Sequence, residues 1–115
     1  MKKSPARVAK FADMAFSPRF EYGDQAAAAP FCGEADGVEL GAGWGRMTNA
    51  RFPWTIKYDE VLLVVEGELT VHLADGPITA GPKDLIFLPA GAELEYEAES
   101  ALIFYAIHPA DWATR

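Results

Sequence analysis

Two short segments decide the fold of this chain, and they read DEVLLVVEGEL at residues 59–69 and KDLIFLPAG at residues 83–91. Each is a run of branched and aromatic apolar residues that ends in turn-forming residues, which is typical of β-strands joined by tight turns. Similar strands are predicted at roughly 54–65, 68–73, 77–80, 84–88, 93–98 and 101–107. No helical periodicity separates these strands. The pattern therefore predicts an all-β antiparallel sandwich or barrel.

The region before these strands has a different pattern. Residues 1–36 are irregular and predict a short helix or turn near 6–14 followed by extended chain, with the alanine tract 26–29 in a loop. From residue 37 glycines alternate with larger residues, which predicts a strand whose glycine face lies close to another backbone or side chain. We expect a loop at 48–53 after this strand. One domain results, with an N-terminal extension (1–36) and a barrel (37–112).

The composition limits the possible partners. The 115 residues carry a net charge of −7, and 50% of them are hydrophobic, which fits a single domain with one core. The negative charge repels phosphate backbones and anionic lipids, so we expect no nucleic-acid partner and no membrane partner. Cys32 is the single cysteine and is expected to be inert. Without a disulfide, a cytoplasmic location is expected.

The two quoted segments resemble the two characteristic motifs of the cupin superfamily. Glu60 and Gly67 keep the spacing of glutamate and glycine in the first motif, and Pro89 and Gly91 match the Pro-x-Gly turn of the second. Lys83 stands where the second motif usually has glycine. The resemblance implies a cupin-type antiparallel β-barrel, that is, a double-stranded β-helix related to the jelly roll.

A closer similarity is to the ethanolamine-utilisation Q (EutQ) branch of the cupins. The residues that carry it are Trp54, Tyr58-Asp59-Glu60, Gly81-Pro82 and Pro109-Ala110-Asp111-Trp112. The resemblance implies a role in ethanolamine or acetate metabolism. Longer members of that branch have an extra N-terminal region, whereas this sequence is essentially the cupin alone. Because cupins commonly dimerise through N-terminal strands, the resemblance also implies a homodimer in which residues 11–31 form a contact.

The same comparison of motifs argues against a metal. The histidines of metal-binding cupins correspond here to Trp54, Ile56 and Leu94. Glu60 is then the only ligand that remains, whereas a transition metal needs three or four nitrogen, oxygen or sulfur donors. We therefore expect no metal site and no cofactor.

Strand alternation predicts which side chains line the barrel. Even-numbered residues from 54 to 60 share one face, and the motif glutamate of the cupins points inward, so Trp54, Tyr58 and Glu60 are expected in the lumen. The same alternation places Tyr96 inside, and it places glutamates 93, 95, 97 and 99 outside together with His72. We predict Trp54, Tyr58, Glu60 and Tyr96 as ligand-binding residues.

Three functions remain open from the sequence. The first is a metal-free cupin that binds a small metabolite in the lumen as an accessory protein of ethanolamine or acetate metabolism. In the second, Glu60 is catalytic and acts as a general acid or base on a small carbonyl or carboxylate compound, because burial raises the pKa of a carboxyl group. The third is an assembly role without a ligand. Arg46 is the one cation near the barrel considered for an anionic ligand, and the direction of its side chain stays undetermined.

Overall fold

The computed structural model describes residues 3–115, which form eight β-strands. The strands are β1 (Ser17–Pro18), β2 (Ala26–Cys32), β3 (Gly41–Thr55), β4 (Asp59–Gly67), β5 (Leu69–Leu73), β6 (Gly76–Ala80), β7 (Leu85–Leu88) and β8 (Glu93–His108). Single 3₁₀ turns lie at Phe11–Asp13, Phe20–Tyr22, Glu34–Asp36 and Trp112–Thr114. Within residues 3–115 no helical segment has the length and hydropathy of a membrane-spanning helix.

The long strands β3 and β8 organise the fold. They pair with each other from end to end, and the strand order is β1-β2-β3-β8-β4-β7. The second edge of β8 is shared, since β5 pairs with residues 95–97 and β4 with residues 101–108. The two halves of β8 therefore belong to two layers, one with β4 and β7 and one with β5 and β6. This confirms the all-β antiparallel fold, but as a sandwich whose sheet is not closed into a barrel.

The core lies between the two layers. Alternate side chains of each strand point into it, and the most deeply buried are Ile56, Leu62, Val64, Leu69, Val71 and Leu88. Each such burial stabilises the fold by about 1.5–3 kcal/mol relative to an exposed side chain. The alternation of β4 continues from Ile56 and Tyr58 through Glu60, so the same periodicity that builds the core also turns the Glu60 carboxyl inward.

Three of the predicted strand assignments differ from the structure. The predicted strand 54–65 is interrupted, because β3 ends at Thr55 and β4 begins at Asp59. The predicted loop at 48–53 is part of β3, and the predicted strands 93–98 and 101–107 are one strand. Asn49 has a left-handed backbone (φ 44°), and pairing resumes at Ala50 after Thr48. The chain therefore bends between the layers without ending the strand. Local sequence does not distinguish such a bend from a break, because both use residues that tolerate turn conformations.

The alanine tract forms strand β2, where a loop was predicted. Alanine has a low intrinsic preference for strands, so the local sequence favoured the loop. The strand forms because the glycines of β3 allow a close approach. A Cβ atom at Gly43 would lie 2.7 Å from the carbonyl oxygen of Ala29 and 2.8 Å from the Cα atom of Pro30. The glycine face of β3 therefore has the close neighbour that its alternation predicted.

The glutamates of β8 face outward, and two of them, Glu95 and Glu97, are paired. Arg51 bonds to both Glu95 and Glu97, and His72 Nε2 lies 2.7 Å from Glu97 Oε1. The hydrogen bond with His72 is the main reason why the pKa of Glu97 is lowered. His72 thus belongs to a surface network outside the lumen.

Lys83 adopts a left-handed backbone (φ 75°) in the turn before β7, at the position where the cupin motif usually has glycine. A side chain in this conformation costs about 1 kcal/mol. We expect Lys83→Gly to raise the free energy of unfolding by up to about 1 kcal/mol. Urea denaturation would measure this increase. Lys57→Gly is the control, because Lys57 lacks a positive φ and its replacement by glycine should lower stability. Equal losses in the two variants would contradict the prediction.

Candidate functional site

A cavity of about 270 Å³ lies between the layers. Most of its wall is apolar, and it is bordered by β2, β3, β4 and β8 together with residues near both ends of the chain. The wall includes Trp54, Tyr58, Glu60 and Tyr96, so the structure brings together all four residues that were predicted as a ligand site. A largely apolar cavity with a few placed polar groups is the usual form of a small-molecule site.

Glu60 is the polar centre of the cavity. Its residue is only 6% exposed, and it is the one buried charged residue within 3–115. Tyr96 Oη donates a hydrogen bond of 3.2 Å to Glu60 Oε1. Burial raises the pKa of Glu60 to about 7, although the Tyr96 hydrogen bond and the charge of Arg19 act in the opposite direction. Near neutral pH this carboxyl group therefore exists in both protonation states, so it can donate or accept a hydrogen bond.

Aromatic side chains build the wall beside Glu60. Trp54 Nε1 donates a 3.2 Å hydrogen bond to Tyr58 Oη, which leaves the hydroxyl proton of Tyr58 available to another acceptor. Burial, followed by the nearby Glu60, raises the pKa of Tyr58, so this hydroxyl stays protonated. The ring of Trp112 lies 5.1 Å from that of Tyr58 and 6.4 Å from that of Trp54. The C-terminal 3₁₀ turn therefore closes this side of the cavity.

Arg19 brings a positive charge to the same cavity, and sequence reasoning missed it. Its guanidinium lies 4.3 Å from the ring centroid of Phe20 and 5.8 Å from that of Trp54. Phe20 stacks on Trp54 at 5.1 Å with a left-handed backbone (φ 51°). Within residues 3–115 no carboxylate lies within 4.0 Å of the Arg19 guanidinium. The charge of Arg19 is thus available to a ligand.

Tyr105 is a second lumen residue that was not predicted. It pairs with Gly43 across the strands, and a Cβ atom at Gly43 would lie 2.8 Å from Tyr105 Oη. Burial raises the pKa of Tyr105. The sequence does contain a signal for this residue. Counting alternate residues along β8 from Tyr96, and allowing for a shift by one residue at the bend, predicts that Tyr105 faces the lumen. Arg46, the cation considered from sequence, also borders the cavity, and its guanidinium lies 4.9 Å from the ring centroid of Phe16.

The side chains around Glu60 do not fit a cupin metal. The positions of the usual histidines carry Trp54, Ile56 and Leu94, of which only Trp54 has a polar atom, and its indole nitrogen is a donor. The part of the chain from Lys3 onward contains no group of three or more His, Cys, Asp or Glu side chains that could hold a metal ion. The chemistry of the site therefore has to come from Glu60, the tyrosines and Arg19.

Known proteins share this architecture. The crystal structure of a putative ethanolamine utilization protein Q from Salmonella typhimurium LT2 is 30% identical and has a TM-score of 0.84, over 90% of this chain and 85% of that chain. A cupin_2 domain from an XRE family transcriptional regulator of Enterobacter cloacae has a TM-score of 0.64 over 73% of this chain and 96% of that chain, at 14% identity. The second similarity concerns the fold alone. Together they confirm the cupin fold.

Sequence comparison gives the family. The chain is 39% identical over 80 residues to the acetate kinase EutQ of Salmonella typhimurium, which is 69% of this chain and 35% of that relative. The chain thus spans about a third of the length of this curated relative. The family model described as ethanolamine utilisation protein EutQ matches residues 10–114. The chain belongs to the EutQ family, and is thereby a cupin linked to ethanolamine utilisation.

Proposed function

We propose that the chain binds a small organic acid in the lumen cavity without a metal, as an accessory protein in ethanolamine or acetate metabolism. The observation that carries this proposal is the presence of Arg19 and Glu60 in one cavity. The guanidinium would receive the acid group, because it has no carboxylate partner in the part of the chain that the structure describes. Charge-assisted hydrogen bonds to guanidinium are among the strongest in proteins.

The polar atoms of the cavity favour a ligand rich in acceptors. Arg19 has only donors, and the hydroxyl proton of Tyr58 is available to a ligand. Glu60 also donates when it is protonated, and its pKa of about 7 allows this near neutral pH. A carboxylate offers about four lone-pair sites to such donors. An ammonium compound such as ethanolamine would instead lie beside the positive charge of Arg19, which disfavours it.

The name of the Salmonella relative, acetate kinase, is compatible with an acid ligand but belongs to a protein of which this chain covers 35%. The cavity volume of about 270 Å³ also exceeds what a two-carbon acid fills. We therefore propose the chemical class, a small monocarboxylate, and include an acid larger than acetate in the test.

The indole groups allow a direct test. In ¹H–¹⁵N spectra, titration with acetate or benzoate just below pH 7 should shift the Trp54 indole signal, because Trp54 lines the cavity. The Trp44 indole should not move, since its ring packs against Phe11 outside the lumen. Arg19→Met should weaken binding about tenfold to a hundredfold, which corresponds to the loss of a charged hydrogen bond.

Arg7→Met is the matched control, because the Arg7 guanidinium also lies over an aromatic ring, 4.8 Å from the centroid of Phe31, and Arg7 does not line the cavity. This variant removes the same charge from the chain but should leave the affinity within about twofold. The proposal fails if neither acid shifts Trp54, if Arg19→Met and Arg7→Met behave alike, or if ethanolamine binds more tightly than the acids. An absence of shifts with all three compounds would favour the assembly role without a ligand.

A second candidate function is acid or base catalysis by Glu60 on a small carbonyl or carboxylate compound. The pKa of about 7 favours it, because a general acid or base works best near the ambient pH. Tyr96, which donates to Glu60, would orient the carboxyl group. Compounds that bind would be tested for turnover with the unmodified protein and with Glu60→Gln. Equal rates in the two proteins would remove Glu60 from the chemistry.

We also propose a cytoplasmic location and no nucleic-acid or membrane partner. The net charge of −7 supports the exclusion of phosphate-bearing partners. Cys32 is a free, partly buried thiol, which is compatible with a reducing compartment.

A further inference from the structure

The charged groups of the lumen cavity lie at two depths. Arg19 is partly exposed, and its guanidinium lies over the ring of Phe20, which borders the cavity and is itself 55% exposed. Glu60, by contrast, is buried on β4 in the interior of the sandwich. The cavity therefore has a positive charge near its mouth and a carboxyl group at its inner end.

The protein engages only one of the two oxygens of the Glu60 carboxyl group. Tyr96 Oη donates to Oε1, whereas no residue within 3–115 provides a hydrogen-bond partner for Oε2. In the same part of the chain, Asp111 Oδ1 is the one fully enclosed side-chain oxygen or nitrogen without a partner, so Glu60 Oε2 stays open to the cavity. A ligand that fills the cavity removes water from Oε2. It must then replace the lost hydrogen bond, because a buried polar atom without a partner is unfavourable.

The ligand group that meets Glu60 Oε2 has to donate as well as accept. With a pKa of about 7, Glu60 is partly ionised and partly protonated near neutral pH. The ionised form only accepts hydrogen bonds and repels a second carboxylate, whereas the protonated form also donates. A hydroxyl group is uncharged and is both donor and acceptor, so it pairs with either form. The inner end of the cavity therefore fits a hydroxyl group, while the acid group of the ligand stays near Arg19.

The wall between these two ends is rich in aromatic rings, which belong to Phe52, Trp54, Tyr58, Tyr96, Tyr105 and Trp112. A flat ring packs well against such a wall in offset-stacked or edge-to-face contacts. The size of the cavity agrees with a ring. An apolar protein cavity of about 150 Å³ binds benzene, so a cavity of about 270 Å³ has room for roughly ten non-hydrogen atoms. A benzene ring that carries one carboxylate and one hydroxyl group has this size.

We infer that the lumen selects an aromatic hydroxy acid, whose carboxylate binds Arg19 near the mouth and whose ring hydroxyl bonds to Glu60 at the inner end. This inference rests on the proposed function, because it concerns the same acid-binding cavity. It adds a requirement that the proposed function lacks, namely a hydroxyl group on the side of the ring away from the carboxylate. An acid without that group would leave Glu60 Oε2 dehydrated and unpaired.

Matched pairs of acids test the inference on the unmodified protein. The affinities of meta- and para-hydroxybenzoate would be measured from the Trp54 indole signal and compared with those of meta- and para-methylbenzoate, in which a methyl group of similar size replaces the hydroxyl. At least one hydroxy acid should bind about tenfold or more tightly than its methyl counterpart. If both methyl compounds bind as tightly as the hydroxy acids, the inference is overturned while the proposed function stands. If none of the four acids binds, both are overturned.

Substitutions test whether Glu60 causes the preference. Glu60→Gln should keep the preference for the hydroxy acid, because an amide also donates and accepts. Glu60→Leu has no polar atom in its side chain, so it should bind the methyl compound at least as tightly as the hydroxy acid. Arg19→Met should weaken both acids of a pair to the same extent and leave their ratio unchanged. A preference for the hydroxyl group that persists in Glu60→Leu would overturn the inference. The comparison of acids needs no substitution, so it decides the question even if Glu60→Leu fails to fold.

Discussion

Replacing Gly67 by alanine is expected to lower the free energy of unfolding by about 4 kcal/mol or more, enough to unfold much of a marginally stable domain. Gly67 ends β4 with a left-handed backbone (φ +79°), which by itself costs an alanine about 1 kcal/mol. An added Cβ atom would also lie 1.9 Å from the carbonyl oxygen of Ser100, and that atom belongs to the backbone of β8. Urea denaturation followed by circular dichroism would measure the loss.

The clash cannot be relieved cheaply because β8 is held on both edges. Near Ser100 it pairs with β3 on one side, and Ala101 pairs with Gly67 itself on the other. Gly91→Ala is the control: Gly91 also has a positive φ (+95°), but no atom lies within 4 Å of an added Cβ. That variant should lose only about 1 kcal/mol. Similar losses at Gly67 and Gly91 would show that β8 can yield at Ser100.

The fold was predictable where the signals are local. The spacing of Glu60 and Gly67 identified the first cupin motif, and the positive φ of Gly67 shows why that position requires glycine. Alternation counted from residue 54 correctly predicted that Ile56, Tyr58 and Glu60 are buried, although Ile56 and Tyr58 lie in the short segment before β4. A period of two is a property of the extended backbone itself, so the inward positions can be predicted without knowing the partner strands.

The features that escaped prediction depend on distant parts of the chain. Arg19 reaches the cavity because the backbone N–H of Arg19 donates to the carbonyl oxygen of Ala26, and β1 pairs with β2. Strand β2 in turn needs the glycines of β3 to form. None of these pairings has a local signal at residue 19. The open sandwich likewise depends on how β3 and β8 bend, and the sequence around Asn49 fits a loop equally well.

The buried carboxyl of Glu60 lowers the stability of the fold, although the candidate site depends on it. Leu62 and Val64, its neighbours on the same face of β4, contribute apolar burial to the core. Glu60 occupies an equivalent inward position, but its carboxylate loses hydration there, and the Tyr96 hydrogen bond and the charge of Arg19 offset this loss only in part. A carboxyl group that opposes folding in its charged form is typical of residues retained for binding or catalysis.

Replacing Glu60 by glutamine should therefore stabilise the protein, and the gain should depend on pH. The folded state holds the Glu60 proton up to a pKa of about 7, whereas the ordinary pKa of this carboxyl group, expected in the unfolded chain, is 4.5. Between these two values the folded protein binds more protons than the unfolded chain, so its stability falls as the pH rises. Above pH 7 the accumulated loss is about 3 kcal/mol, at 1.36 kcal/mol for each pKa unit.

Glutamine has nearly the shape of the protonated side chain and does not titrate, so Glu60→Gln avoids this loss. We expect the stability difference between Glu60→Gln and the unmodified protein to be smallest below pH 4.5. It should grow as the pH rises to 7 and then stay constant at about 3 kcal/mol. Urea denaturation at several pH values would measure this difference.

Glu99→Gln removes the same charge from an exposed position of β8 and serves as the control. A difference that does not change with pH, or one that matches the Glu99→Gln result, would show that the Glu60 carboxylate is well solvated in the folded protein. The cavity would then be open to water, and the apolar surroundings that justify acid or base chemistry at Glu60 would be absent.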